Sequence, residues 1–183
     1  MSNKQALRDL QQRLAQRMQA AREQTQAASW LAVECAGVGL LFSLKQAAEI
    51  FTPVPLKSVP YAQPWLAGVA NLRGGLFTIV DLAAFLGLRD PREPTHQQQH
   101  QHHPQGARFV SLNPELNINC ALLVDRLVGL RGDDQLVAEP LDPNAGPRPR
   151  FAGPRMRDAS GHAWQQLDLD ALSKHEQFLR IVV

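Results

Sequence analysis

The stretch WLAGVANLRGGLFTIVDLAAFLGL, residues 65–88, decides how this chain is read. Two apolar runs flank one glycine-rich turn, Arg73-Gly74-Gly75. Leu66 to Leu72 reads as one strand. Leu76 to Leu82 reads as a second, rich in β-branched and aromatic residues. Short runs of this kind suit strands buried on both faces, although pattern alone does not separate them from a buried helix. The glycines let the backbone turn tightly and visit positive φ, so Gly68, Gly74 and Gly75 are read as backbone requirements. Asn71 is placed to brace the turn through its amide. Asp81 is expected to cap a short helix over Leu82 to Leu88 that ends at Gly87. Arg73 sits where the chain reverses, so the stretch reads as a packed hairpin that displays a cation at its corner.

Working outward, the 183 residues suffice for one medium domain or two small ones. Hydrophobic residues make up 44%, enough for a core without disulfides. The net charge of +2 is too small for a nucleic-acid binder, and no basic run interleaved with aromatics occurs. Cys35 and Cys120 lie in separate strand-like contexts and are read as free buried thiols. No CxxC pair suggests a zinc site. The N-terminus lacks the apolar core of a signal peptide, and no run approaches the roughly 20 apolar residues of a membrane span. The expectation is a cytoplasmic protein with no membrane insertion.

Residues 1–28 form their own segment. From residue 4 onward, Leu7, Leu10, Leu14, Met18 and Ala21 recur at spacings of three and four, which predicts a helix with one narrow apolar stripe. Isolated helices are marginal, so this stripe needs cover. It can pack on the body of its own chain, on a second copy or on a partner. Four arginines there also raise a membrane surface, but Trp and Phe are missing from the apolar face.

Trp30 to Leu44 reads as a hairpin, WLAVEC–AGVG–LLFSL, whose turn chemistry comes from Ala36-Gly37 and Gly39 and whose second strand runs from Leu40 to Leu44. Lys45 to Ile50 reads as a short helical turn carrying Ala47 and Glu49, and the passage 52–64 is rich in proline. Residues 89–107 lose their apolar character and read as a low-complexity loop. Its histidines (His96, His100, His102, His103) lack the fixed geometry a metal site needs, so neither a metal nor another cofactor is expected. Strands follow at 109–112 and 119–124. The Pro/Gly-rich passage 138–157 reads as loop, Trp164 to Leu169 as a strand, and the apolar tail from Phe178 as a closing C-terminal strand.

The halves share an order of features. LLFSL leads through a proline-rich passage to Leu66-Ala67-Gly68 and then to Asp81-Leu82. CALLV leads through another to Phe151-Ala152-Gly153 and then to Asp168-Leu169. Repetition on this scale predicts two similar β-modules, and small sheets avoid exposed edges by curling closed. The expected architecture is mainly β, with two five-stranded barrels packed side by side. The first barrel is placed at about 29–88, with room to share the C-terminal strand, and the second at about 108–183.

The pattern Gly68-Val69-x-Asn71-Leu72-Arg73-Gly74, followed by Asp81-Leu82 and a helix ending in Leu-Gly, resembles the CheW-like family of chemotaxis coupling proteins. Trp30 to Ile50 is similar to that family's opening hairpin, and Leu122 to Leu130 to its second-half strand. The N-terminal segment and long middle loop look more like the PilI subgroup, which serves type IV pilus twitching motility. The resemblance implies two SH3-like barrels and an adaptor without catalysis. It implies two partners, a methyl-accepting chemoreceptor and the regulatory domain of a CheA-type histidine kinase, at membrane receptor arrays. It also places Arg73, Glu49, Ala47 and Asn71 at a receptor-binding groove. From the residues alone, Arg73 equally suits a structural ion pair, and its five donors allow both roles. A flagellar chemotaxis coupler and a small-ligand sensor are the rival functions. An enzyme would need more than the scattered His162, His175, Asp125, Asp168, Asp170 and Cys120, which carry no nucleophile–base or phosphate-loop motif.

Overall fold

The computed structural model describes residues 11–13, 16, 28–90, 106–140 and 146–183. Of the expected N-terminal helix, Gln11, Gln12, Arg13 and Gln16 are helical and exposed. The rest of that helix lies outside the described residues, as does the histidine-rich tract 91–105.

The hairpin at the centre forms as its sequence dictates. Strands β4 (Leu66–Leu72) and β5 (Gly75–Asp81) pair antiparallel with Leu72 opposite Gly75. Arg73 and Gly74 make the two-residue turn, with φ of 49° and 88°. Positive φ at both central positions is the turn that matches strand twist. The opening hairpin repeats this solution. Strands β1 (Ala28–Cys35) and β2 (Val38–Ser43) are joined by Ala36 and Gly37, at φ 48° and 78°.

The remaining strands are β3 (Ala47–Phe51), β6 (Arg108–Leu112), β7 (Cys120–Val124), β8 (Arg126–Gly132), β9 (Leu136–Ala138), β10 (Ala152–Asp158) and β11 (Ala163–Leu167). They form two sheets, ordered β3-β6-β7-β5-β4 and β8-β1-β2-β11-β10-β9. The expected halves 29–88 and 108–183 therefore do not each make a sheet. The β1–β2 hairpin leaves the first half to lie parallel against β11, and β7 leaves the second half to lie parallel against β5. The repeat itself is present with its central hairpins exchanged. Hairpin β6–β7 does in one sheet what β1–β2 does in the other, and each parallel contact is followed by a short helix capped by an aspartate. Asp81 Oδ1 accepts from the Ala84 amide at 3.1 Å at the start of α1 (Leu82–Phe85). Asp168 Oδ1 accepts from the Asp170 and Ala171 amides at the start of α2 (Leu169–Ser173). Asp168 and Asp170 are thus the cap and a first-turn residue of α2.

Alternation along the strands sorts the core into three regions. Leu31, Val33, Leu40 and Phe42 of one sheet meet Val80, Val110, Leu122 and Val124 of the other between the sheets. Their neighbours point the opposite way into the two curled interiors. Ala32, Leu41 and Trp164 fill one, and Ile79, Phe109, Ala121 and Leu123 fill the other. Strand β7 is buried at every position, which explains its unbroken apolar run.

Four expectations are corrected. Ala47 and Glu49 lie on strand β3, not on a helical turn. The turn closes at Gln46, whose amide donates to Ser43 O at 2.9 Å, and a stretch this short gains more from pairing with β6 than from an isolated helical nucleus. The passage 138–157 contains strand β10 despite Pro154, because a register shift between Ala152 and Arg155 takes up the missing donor. The tail does not begin as a strand. Phe178 lies in α3 (Glu176–Leu179), buried and stacked on Trp65, and the tail then makes a single bridge, Ala62 to Val182. Finally, Arg89 and Ala107, assigned to the loop, are both fixed in the body; Ala107 is buried.

Both cysteines are free and buried. Burial, with the nearby Asp125 carboxylate, pushes the Cys35 thiol up to about 12, and burial alone does the same to Cys120. Neither forms appreciable thiolate at neutral pH. A thiol reagent should therefore modify the native protein at least about a hundredfold more slowly than the denatured one. Absorbance after mixing with an aromatic disulfide measures both rates, and fast native modification would contradict this packing.

Candidate functional site

The curl of the five-stranded sheet brings its two edges together at the Arg73 corner. Strands β3 and β4 are opposite edges, yet the β4–β5 turn reaches β3. Arg73 Nη1 donates to Glu49 Oε2, and its guanidinium carbon lies 5.5 Å from the centre of the Phe51 ring. Phe51 in turn meets Phe77 of β5 at 6.1 Å. Asn71 Oδ1 accepts from the Gly74 amide at 2.9 Å and holds the turn in shape. The Glu49 backbone is fixed from behind by Ser111 Oγ, which accepts from its amide at 2.9 Å. The corner thus presents a cation and an anion on braced backbone, over a half-buried aromatic pair.

Arg73, Glu49 and Asn71 are brought together and exposed. Ala47 is not with them: it is on the same strand, but its side chain lies in the core between the sheets. The side chains of Arg73 and Glu49 are 75% and 53% exposed, so their ion pair contributes at most about 1 kcal/mol to stability. Phe51 was not singled out from the sequence, because a lone aromatic at the end of a short apolar run carries no local signal of stacking under a distant arginine. Leu72 and Ile79 are core residues, whereas Leu76 between them is largely exposed.

Gly68 and Gly75 serve packing. A Cβ on Gly68 would stand 2.5 Å from the Lys57 carbonyl oxygen, and one on Gly75 would stand 3.0 Å from the Phe77 ring.

A second cluster lies at the other end of β5 from the Arg73 turn. Arg89 Nη2 donates to both carboxylate oxygens of Asp125 at 2.6 and 2.7 Å, and its Nη1 lies 3.6 Å from Asp81 Oδ2. The Ala36 amide donates to Asp125 Oδ2 at 2.7 Å. Desolvation pulls the Arg89 pKa down, but the Asp125 hydrogen bond and the charges of Asp81 and Asp125 outweigh it, so the net shift is upward. This cluster ties the β1–β2 turn to the end of β5. Among the described residues, no group of three or more His, Cys, Asp or Glu side chains is placed to hold a metal ion. No helix among them is long and apolar enough to cross a membrane.

Comparison with known proteins places this geometry. A family model described as the CheW-like domain matches residues 29–177. The chain is 28% identical to protein PilI of Pseudomonas aeruginosa over 173 residues, covering 93% of this chain and 89% of that one. It is 43% identical over 47 residues to a probable chemotaxis protein CheW of Rhizobium etli, covering 26% of this chain and 30% of that one. In fold it is similar to the scaffolding protein TtCheW of Thermoanaerobacter tengcongensis, with a TM-score of 0.60 at 14% identity over 78% of this chain and 89% of that one. Spanning both sheets and all eleven described strands, the match shows that this chain belongs to the CheW-like domain family.

Proposed function

We propose that this chain is a non-catalytic adaptor that couples a methyl-accepting chemoreceptor to the regulatory domain of a CheA-type histidine kinase. It acts in the cytoplasm, recruited to membrane receptor arrays, in a pathway that controls type IV pili and twitching motility. The likeness to PilI along nearly the whole chain supports the pilus pathway over a flagellar one, since the likeness to the Rhizobium etli CheW covers a quarter of the chain. Arg73, Glu49 and Asn71 form the receptor-facing surface, with Ala47 anchoring β3 from below.

The observation that carries this reading is the exposed Arg73 corner. An ion pair worth so little to stability is held by a braced turn, a hydroxyl behind Glu49 and an aromatic pair. Such a rigid surface suits recognition, where charge complementarity sets specificity. Arg73→Glu should therefore weaken capture of a receptor cytoplasmic fragment by about tenfold or more. Unfolding free energy should change by less than about 1 kcal/mol. Unchanged capture by the folded variant would remove Arg73 from the receptor surface. Failure of the wild-type chain to co-purify with a CheA-type kinase fragment would remove the coupling function.

A further inference from the structure

Strand β3 carries one residue too many for its partner. Ala47 stands opposite Leu112 and Ile50 opposite Val110, so the register shifts between them and Ala48 and Glu49 together oppose Ser111. Two residues against one make a β-bulge, a device that re-aims side chains. Burial shows what this one does. In a regular strand Ala47, Glu49 and Phe51 would share a face, being two residues apart. Instead Ala47 packs with Leu112 and Val110 between the sheets, while Phe51 packs with Phe109 in the interior of the five-stranded sheet. The extra residue separates them, and Glu49 goes with Phe51. That is the side on which Arg73 donates to Glu49 and lies over the Phe51 ring.

A bulge interrupts the ladder and leaves backbone groups in need of other partners. One side chain supplies them here. Ser111 Oγ accepts from the Glu49 amide at 2.9 Å and donates to the Glu49 carbonyl oxygen at 3.3 Å. A hydroxyl can do both with one atom. Ser111 is 3% exposed and follows Phe109 and Val110 in a buried run, a place where an apolar side chain would be the ordinary choice. We infer that Ser111 is a positioning residue of the Arg73 corner: its hydroxyl closes the bulge in β3 and so aims Glu49 at Arg73. Without that hydroxyl a competing register lies one residue along. In it Glu49 stands opposite Val110, on the face of Ala47 and turned away from Arg73. The inference rests on the reading of the corner as a receptor surface, and it adds to that surface a buried residue that shapes it from behind.

The test uses the full chain carrying Ser111→Ala, followed residue by residue through amide hydrogen exchange. The Glu49 amide should exchange at least about tenfold faster than in the wild type, while the amides of β7 keep their rates. Capture of a chemoreceptor cytoplasmic fragment should weaken by about fivefold. Glu49→Gln alone should weaken it by at least as much, and Ser111→Ala added to Glu49→Gln should weaken it no further, because no carboxylate remains to be aimed. An unchanged Glu49 amide rate would show that Ser111 does not hold the bulge. Equal acceleration across β7 would make its role general packing, and a further fivefold loss in the Glu49→Gln background would show that it acts elsewhere. Each of these overturns the inference. Failure of the wild-type chain to capture the receptor fragment would instead count against the receptor reading, and the Glu49 exchange rate would still decide whether Ser111 holds the bulge.

Discussion

Gly68→Ala should destabilise the protein by about 3–5 kcal/mol, among the largest effects expected of one methyl group. The cause is double. Gly68 has φ +143°, a region that residues with a Cβ essentially do not adopt. The added carbon would also stand 2.5 Å from the Lys57 carbonyl oxygen and 3.3 Å from Leu56 Cβ. The obstacle is backbone, and it is fastened. Lys57 and Val69 exchange two amide hydrogen bonds at 2.9 Å, so the segment cannot retreat without breaking them. Behind it, Val54 and Leu56 pack on the interior of the five-stranded sheet. Denaturant titration should show a lower midpoint, and the melting temperature should fall by about 10 °C or more. Gly74→Ala is the control. It also has positive φ, but its Cβ would meet nothing within 4 Å, so its cost is about 1 kcal/mol. Equal losses in the two variants would show that the close approach of Lys57 to Gly68 is not what the fold depends on.

That contrast marks what could be read in the sequence. The hairpin, its turn and the aspartate cap were legible because each is local: strands alternate, turns need glycine, and a cap needs an acceptor at the helix start. The repeat was legible as an order of features. The exchange of β1–β2 and β6–β7 between sheets was not, because a strand's pattern fixes which faces are buried and not which distant strand it pairs with. Glu49 and Arg73 were both named from resemblance, yet their contact depends on the curl that joins the two edges of one sheet. The same resemblance names Ala47, but β3 turns its side chain into the core. Pro154 hid strand β10 for the opposite reason. A rule that holds for regular ladders does not hold at a bulge.

Arg89 had no sequence signal, since it opens a polar, proline-rich run that reads as loop. Its place in the structure makes it a strong test of the fold. The guanidinium is 14% exposed and joins Asp125 to Asp81, while Asp125 also receives the Ala36 amide. One side chain thus fastens the β1–β2 turn, the β7–β8 corner and the start of α1. Arg89→Ala leaves two partly buried carboxylates facing each other with no cation between them. Removing one partner of a fully buried pair costs about 3–5 kcal/mol. Partial exposure of Asp125 lets water relieve some of that, so about 2–3 kcal/mol is expected here, a fall of about 5–10 °C in melting temperature. Arg89→Lys keeps the charge but loses the two-pronged contact, and should recover part of the loss. In a double-mutant cycle with Asp125→Asn, the coupling should exceed about 1 kcal/mol. It should persist in high salt, because a pair with this little exposure is weakly screened. The exposed Arg73–Glu49 pair should behave the other way, with small coupling that salt removes. If the two pairs proved alike, the cluster would be solvated, and the seam between the sheets would be held by apolar packing alone.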